Sequence, residues 1–410
     1  MNQFDNQQGL FYSASNADSI ELFEQAINAY LTSKDDVMVK LKRLQKNDPT
    51  MPMARCFKAY LMKLASDPKL LPVMDQELAW LQSARGSLNE REKLHLLALN
   101  SWANNYTNQT IVLFEQILER YPRDILALRL NHHLHFYSGK ASNMLQSIEA
   151  VLPHWQAEDH HYSFIQGMHA FALEESGHYS QAERCGRDAV ASNNDDQWAA
   201  HAVGHVMHMQ GRYNEGVAWL SSLLPNWHNS GNFIFHLHWH QALFYIGLGD
   251  LDQALTLYDQ HLEAPLADDF YLDVCNGAAL LWRLDMLGCD TGDRWQALQT
   301  LSSQRIKDTE LVFCTLHYLM APAKLKQHNV INEALSNLQQ WATLDTAQGR
   351  VAAEVGLPIA QAIVDLGSHN HQSSARLLRG IESKLFQIGG SHAQRQLFLE
   401  MQSFAQQRIS

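Results

Sequence analysis

The sequence predicts an all-α protein, a right-handed α-α superhelix in which helix pairs stack into a solenoid. Three observations predict it. Helical segments close on glycine at near-constant intervals, apolar residues recur every three or four positions between those glycines, and the 410 residues contain only 10 prolines and 21 glycines. So little punctuation does not suit a many-turned β protein; it suits long helices with short connections. With 46% hydrophobic residues, the chain has enough apolar side chain for a large core.

The clearest period lies between residues 160 and 265. ESGHYSQAE turns at Gly177, MQGRYNEGV at Gly211 and GLGDLDQAL at Gly249, at intervals of 34 and 38 residues that bracket the tetratricopeptide length of about 34. Each turn has the same grammar. After the glycine come one polar residue, then Tyr179, Tyr213 or Leu251, and three positions later a small residue, Ala182, Gly216 or Ala254. Glycine permits the left-handed C-cap that ends a helix, and the small residue lets the second helix approach the first.

The rest of the chain carries looser copies, over 50–155 and 270–410, so residues 1–410 read as one repeat domain. Pro49 and Pro52 mark an early break, and residues 92–122 are two helices closed by Pro122. Residues 125–150 turn at Gly139, and 312–342 and 358–387 repeat the helix pair with looser turns. Residues 285–310 read as irregular. No alternation is long enough to predict a sheet.

Charge and cysteine usage narrow the function. The net charge of −12 has no basic stripe, which argues against nucleic acid and against an anionic membrane as partner. The five cysteines lack CxxC spacing, so neither a zinc knuckle nor a disulfide framework is expected. The first residues have no basic and apolar leader pattern, no apolar run approaches a bilayer span, and the expected location is cytoplasmic.

The segments GLFYSASNADSIELFEQAI, REKLHLLALNSWANN, ERYPRDILALRLNHHLHFYSG, WAAHAVGHVMHMQGR, HLHWHQALFYIGLGDLDQALTLYDQHL and IGGSHAQRQLF occur in this order. On these segments the chain resembles the tetratricopeptide repeat protein 38 family along nearly its whole length. The resemblance implies an all-helical superhelix and little about activity. The family motif pairs His201 with His205 on one helix and His236 with His240 around Trp239 on a later one; His208 and His238 match it less well.

Histidine is the unusual residue here: there are 22, and they cluster. His201, His205 and His208 stand at i, i+4 and i+7, one helical face. His236 and His240 share a face one repeat later, while His238 points about 200° away. Taking Gly211 as repeat position 15 puts the first three at 5, 9 and 12, which line the groove in such repeats. The same count from Gly249 puts His236, Trp239 and His240 at 2, 5 and 6. From Gly139 it puts Arg129 at 5 and His133 at 9; from Gly177 it puts Phe171 at 9 and Glu174 at 12. One inner surface is therefore expected to carry histidines, Arg129, Glu174 and aromatics, with Trp102 and Phe136 as further walls.

For any single histidine the plain reading is a half-buried groove residue hydrogen-bonded to backbone or to another histidine. For the cluster, three readings compete. The preferred one is a pocket for a small polar or anionic molecule or a peptide, with His201, His205, His208, His236, His240, His133, Arg129, Arg283, Glu174, Asp273 and His317 contributing polar groups and Trp239 a wall. The second is an enzyme using groove histidines, with or without metal; HAVGH lacks the glutamate of HExxH, so zincin hydrolysis is not encoded. No metal or cofactor is assigned, and His201, His205, His236 and His240 are the ligands if one is held. The third is a protein–protein scaffold, and a homo-oligomer is left open.

Smaller features have structural explanations. Asp273 and Asn276, one turn apart, read equally as groove residues or as the start of a helix. His317 reads as a satisfied core histidine, and Ser391 after Gly389 and Gly390 as an N-cap rather than a phosphate loop. Nothing near Cys275 or Cys314 suggests an activated thiol.

Overall fold

The glycine turns form as their spacing predicts. Gly139, Gly177, Gly211 and Gly249 have φ of 64°, 81°, 69° and 78°, each just past the end of a helix. The same left-handed step recurs at Gly288 and, without glycine, at Ser33, Ser66, Asn105, Lys326 and His369. Consecutive left-handed turns stand 33 to 43 residues apart. Half of the repeat signal was therefore hidden by residues that hold the turn at a cost of about 1–2 kcal/mol.

The computed structural model describes residues 2–409. A short antiparallel hairpin opens the chain, β1 (Asn2–Asp5) and β2 (Phe11–Ala14), with Phe4 opposite Tyr12. The sequence predicted no strand, and the hairpin corrects that. Four residues per strand are too few for alternation to register. Its turn is set by Asn6, whose side-chain oxygen accepts from the amides of Gln8 and Leu10 at 3.1 and 2.9 Å.

Helix pairs follow. α1 (Asp18–Leu31) precedes α2 (Val37–Asn47), α3 (Pro52–Leu64) precedes α4 (Leu71–Ser83), and α5 (Glu90–Ala103) precedes α6 (Thr107–Arg120). Next come α7 (Ile125–Tyr137) and α8 (Ala141–Val151), then α9 (Tyr162–Glu175) and α10 (Tyr179–Ser192). α11 (Gln197–Met209) leads to α12 (Tyr213–Leu223), α13 (Phe233–Leu248) to α14 (Leu251–Leu257), and α15 (Tyr271–Met286) to α16 (Trp295–Arg305). The presence of α16 divides the expected irregular stretch, leaving 287–294 before it and 306–310 after it outside the helices.

In the last two pairs the first member is broken. α17 (Val312–Tyr318) and α18 (Met320–Lys324) precede α19 (His328–Trp341). α20 (Ala347–Val351) passes through a π-type stretch, Ala352–Gly356, into α21 (Leu357–Gly367), which precedes α22 (His371–Ile381). α23 (His392–Gln407) closes the chain behind a capping box made by Ser391 and Gln394. The Ser391 reading is thus the structural one. The chain is an all-α helical-repeat protein of tetratricopeptide-like pairs. Among the described residues no helix is long and apolar enough to cross a membrane.

By contact the chain forms two compact units. The first holds residues up to Phe136 with Lys140–Val203 and Asn226–Phe233; the second holds Tyr137–Gly139, Gly204–Pro225 and the residues from Ile234 on. In the first, Phe23, Phe57, Tyr60 and Phe114 are fully buried, and Trp102 packs on Tyr60 at 6.0 Å between ring centres. The hairpin is fastened there by Glu92, whose carboxylate accepts from the Ser13 amide and hydroxyl, both at 2.7 Å. In the second, Trp295, Tyr258, Leu284 and Phe398 are buried together with the faces of α15, α17 and α21.

The small residue after each turn is a packing requirement, and Gly216 tests it. A Cβ there would lie 2.5 Å from the Phe244 ring, which is fully buried. Gly204, by contrast, has Phe244 4.0 Å from its hypothetical Cβ. Helix propensity favours alanine over glycine by about 1 kcal/mol at both. At Gly216 overpacking, about 1–3 kcal/mol, outweighs that gain. Thermal denaturation should therefore show Gly204→Ala melting higher than wild type and Gly216→Ala lower. Equal shifts for the two would refute the close approach.

Candidate functional site

α11 presents His201 and His205 one turn apart, and α13 presents His236 and His240 with the same spacing. Such i, i+4 pairs project from one side of a helix. In the second unit the His205 and His240 rings are 4.5 Å apart between centres, and those of His236 and His240 4.7 Å. His201 lies one turn earlier than His205 on the same continuous helix. One ring nitrogen from each of His205, His236 and His240 comes within 4.8 Å of the others. All four side chains are buried, His205 completely.

Two neighbours set the chemistry of this group. Trp239 is fully buried and stacks on His236 at 5.2 Å with an angle of 14°. Asn276, on α15, places its side-chain oxygen 3.0 Å from His236 Nδ1. That oxygen only accepts, so Nδ1 carries the proton and Nε2 keeps its lone pair. Burial lowers the His236 pKa to about 4, although the Asn276 hydrogen bond opposes the shift. The imidazole is therefore neutral near pH 7.

The other expected residues fall elsewhere. In the first unit, Arg129 lies over the Trp198 ring at 3.9 Å, and His133 meets the same ring edge-on at 5.5 Å. Trp198 also stacks on Phe233 at 3.7 Å and donates to Ser33 Oγ at 3.0 Å. Phe171 stacks on His201 at 5.5 Å and on Phe136 at 5.6 Å. Glu174 is completely buried on α9. Trp102 belongs to the core around Tyr60 rather than to this aromatic group. Sequence reading missed Trp198, although it stands 13 residues before Gly211 as His236 stands 13 before Gly249.

In the second unit His208 turns its Nε2 to Gln396 of α23 at 3.3 Å, apart from His205, His236 and His240. Burial and the charge of Arg283 lower its pKa to about 4. His238 stacks on His261 at 3.7 Å, away from the cluster as its spacing required. His317 donates from Nδ1 to the Phe313 carbonyl at 2.7 Å and is buried, the satisfied core histidine expected. Asp273 is buried in the first turn of α15, but the cap position is Phe270, so Asp273 is not the cap. The five cysteines are unpaired, and burial pushes the Cys275 thiol well above its ordinary value.

Sequence reading also missed the part played by α23. Its Gln396, Glu400 and Phe398 meet His208 on α11, Arg283 on α15 and His317 on α17, so the closing helix runs along residues expected to line the groove. A cavity of about 1180 Å³ remains beside it. Arg283, Arg395 and Arg408 line it with His208, against Glu382 and Glu400, and Phe386, Leu399 and Phe404 form apolar walls. Arg283 is held by Glu400 at 2.8 Å, and the Arg408 guanidinium lies 3.6 Å over Phe404.

No protein-family model matches the chain. Among solved structures it is similar to the crystal structure of the P58(IPK) TPR domain, at 14% identity and a TM-score of 0.25. That similarity covers 78% of this chain and 91% of that one.

Proposed function

We propose that the protein is a binding module that takes an acidic peptide segment into the second unit's cavity. The observation that carries this is the lining. In a chain of net charge −12, three arginines and two histidines face two glutamates around a space of about 1180 Å³. That volume exceeds the roughly 300–1,000 Å³ of small-molecule pockets, which favours a peptide over a small anion. Phe386 and Leu399 are 50% and 40% exposed there, apolar area that a ligand would cover. Membership of the tetratricopeptide repeat protein 38 family, suggested by the histidine motif, belongs to the same reading. So does a cytoplasmic setting, where five unpaired thiols stay reduced.

Selection from a random peptide library on the immobilised chain tests it. Enriched sequences should combine acidic and large apolar residues. Arg408→Glu and Leu399→Glu, both at exposed positions, should each weaken the selected peptides by about tenfold or more, equivalent to about 1.4 kcal/mol. Recovery of no consensus, or binding indifferent to both substitutions, would remove the reading.

A further inference from the structure

The group of His205, His236 and His240 is separate from that cavity lining, and neither a hydrophobic core nor a peptide groove calls for it. Buried imidazoles are ordinarily distributed one by one, as His317 is, bonded to the Phe313 carbonyl. Here α11 brings His205 and α13 brings His236 and His240 one turn apart, and the three converge.

We propose that His205, His236 and His240 form a binding site for a first-row transition-metal dication such as zinc. The donor set selects the ion. The group comprises imidazole nitrogens alone, which suit zinc, copper or nickel and are poor ligands for calcium or magnesium. The geometry is close to what such an ion needs. Metal–nitrogen bonds of about 2.0–2.1 Å in a tetrahedron place nitrogens about 3.4 Å apart. The three nitrogens already lie within 4.8 Å, a gap that small side-chain rotations close.

The surroundings support the assignment independently. A ligating histidine characteristically donates its other ring N–H to an acceptor, which fixes ring and tautomer. Asn276 does this for His236 at 3.0 Å. Trp239, stacked on the same ring and fully buried, holds its plane. Three protein donors occupy three corners of a tetrahedron, the fourth being open to an exogenous ligand, and the site ties α11 to α13.

Cobalt is the probe. The full chain, stripped with chelator and titrated with Co2+, should develop the intense visible bands of tetrahedral cobalt at one ion per chain, and Zn2+ should bleach them. His205→Ala and His240→Ala should weaken binding about 100-fold or more, and Asn276→Ala by roughly 10–100-fold, the range for loss of an outer partner. His238→Ala, which removes a ring stacked on His261 away from the cluster, should bind as wild type does and controls for the remaining histidines. Zn2+ should also raise the melting temperature of wild type but not of the His205→Ala, His240→Ala double variant. If those variants fail to fold, the wild-type titration and Asn276→Ala decide. Absence of tetrahedral bands in the folded wild type, or binding that Asn276→Ala and the cluster variants leave unchanged, overturns the proposal.

Discussion

Asp124→Ala is expected to destabilise the first unit by about 3–5 kcal/mol, the usual loss when a buried ion pair is broken on one side. The Asp124 carboxylate accepts from Arg91 Nη1 at 2.7 Å and His95 Nε2 at 2.9 Å through one oxygen, and through the other from the Ala127 amide at 3.0 Å. Arg91, Asp124 and His95 are each at most 3% exposed. Burial, the largest single effect, pushes the Asp124 carboxyl up, but His95, then Arg91, and the hydrogen bonds it accepts together hold it well below the usual carboxylate range. Alanine would strand the Arg91 guanidinium and remove a helix cap worth about 1 kcal/mol more. Against a typical total of about 5–15 kcal/mol, that is a large fraction.

The effect should also spread to the hairpin. Arg91 donates to the Phe11 carbonyl at 3.0 Å and lies over the Tyr12 ring at 4.3 Å. Urea unfolding of Asp124→Ala should show an early transition, with limited proteolysis cutting near the N-terminus before it does in wild type. Asp124→Asn keeps the acceptor for Ala127 and should fall between the two. Wild-type stability in the alanine variant would refute the account of this network.

Acidification should unfold the protein between about pH 6.5 and 4. His161 and His317 are buried, and burial lowers their pKa values to about 3 and about 4. His132 is lowered as well, again by burial first. In the unfolded chain each returns to about 6.5. Below pH 6.5 the unfolded state therefore binds more protons, and stability falls as pH falls until the folded values are reached. At about 1.4 kcal/mol for each pH unit between folded and unfolded values, two such histidines are worth several kcal/mol.

One group works the other way. Burial raises the Asp196 carboxyl to about 7. The folded state then holds its proton from about pH 4 to 7, so this group alone makes the protein more stable as pH falls through that window. Three imidazoles outweigh one carboxyl, and the net slope follows the histidines. Helical circular dichroism should thus be lost on acidification, and Asp196→Asn, which removes the opposing slope, should steepen the loss. A signal retained down to pH 3 would show that these histidines are not sealed from water.

How much was legible in advance depended on range. The turns at Gly177, Gly211 and Gly249 follow from contacts within one helix pair, and the helical period exposes them; Gly216 was expected to admit α11 of its own pair, but its close neighbour is Phe244 on α13 of the next. The equivalent turns at Ser66, Asn105 and Lys326 were not legible, because residues other than glycine were forced into the left-handed region by packing. The hairpin escaped notice because its partners, Arg91 and Glu92, lie some eighty residues away. At the candidate site, the two HxxxH pairs and the separate direction of His238 could be read from spacing. That Asn276 would face His236, or that Trp198 would carry Arg129 and His133, could not.

The sequence by itself determined the helices, the turns that close on glycine and which side chains share a helical face, since 3.6-residue periodicity and left-handed glycine act over a few residues. Only the tertiary structure decided which faces meet: that His205, His236 and His240 converge, and that α23 rather than solvent meets His208, Arg283 and His317. Those choices rest on shape and burial between segments up to nearly two hundred residues apart, as for His208 and Gln396. Many pairings of amphipathic helices satisfy the same local pattern, and only the packed chain distinguishes among them.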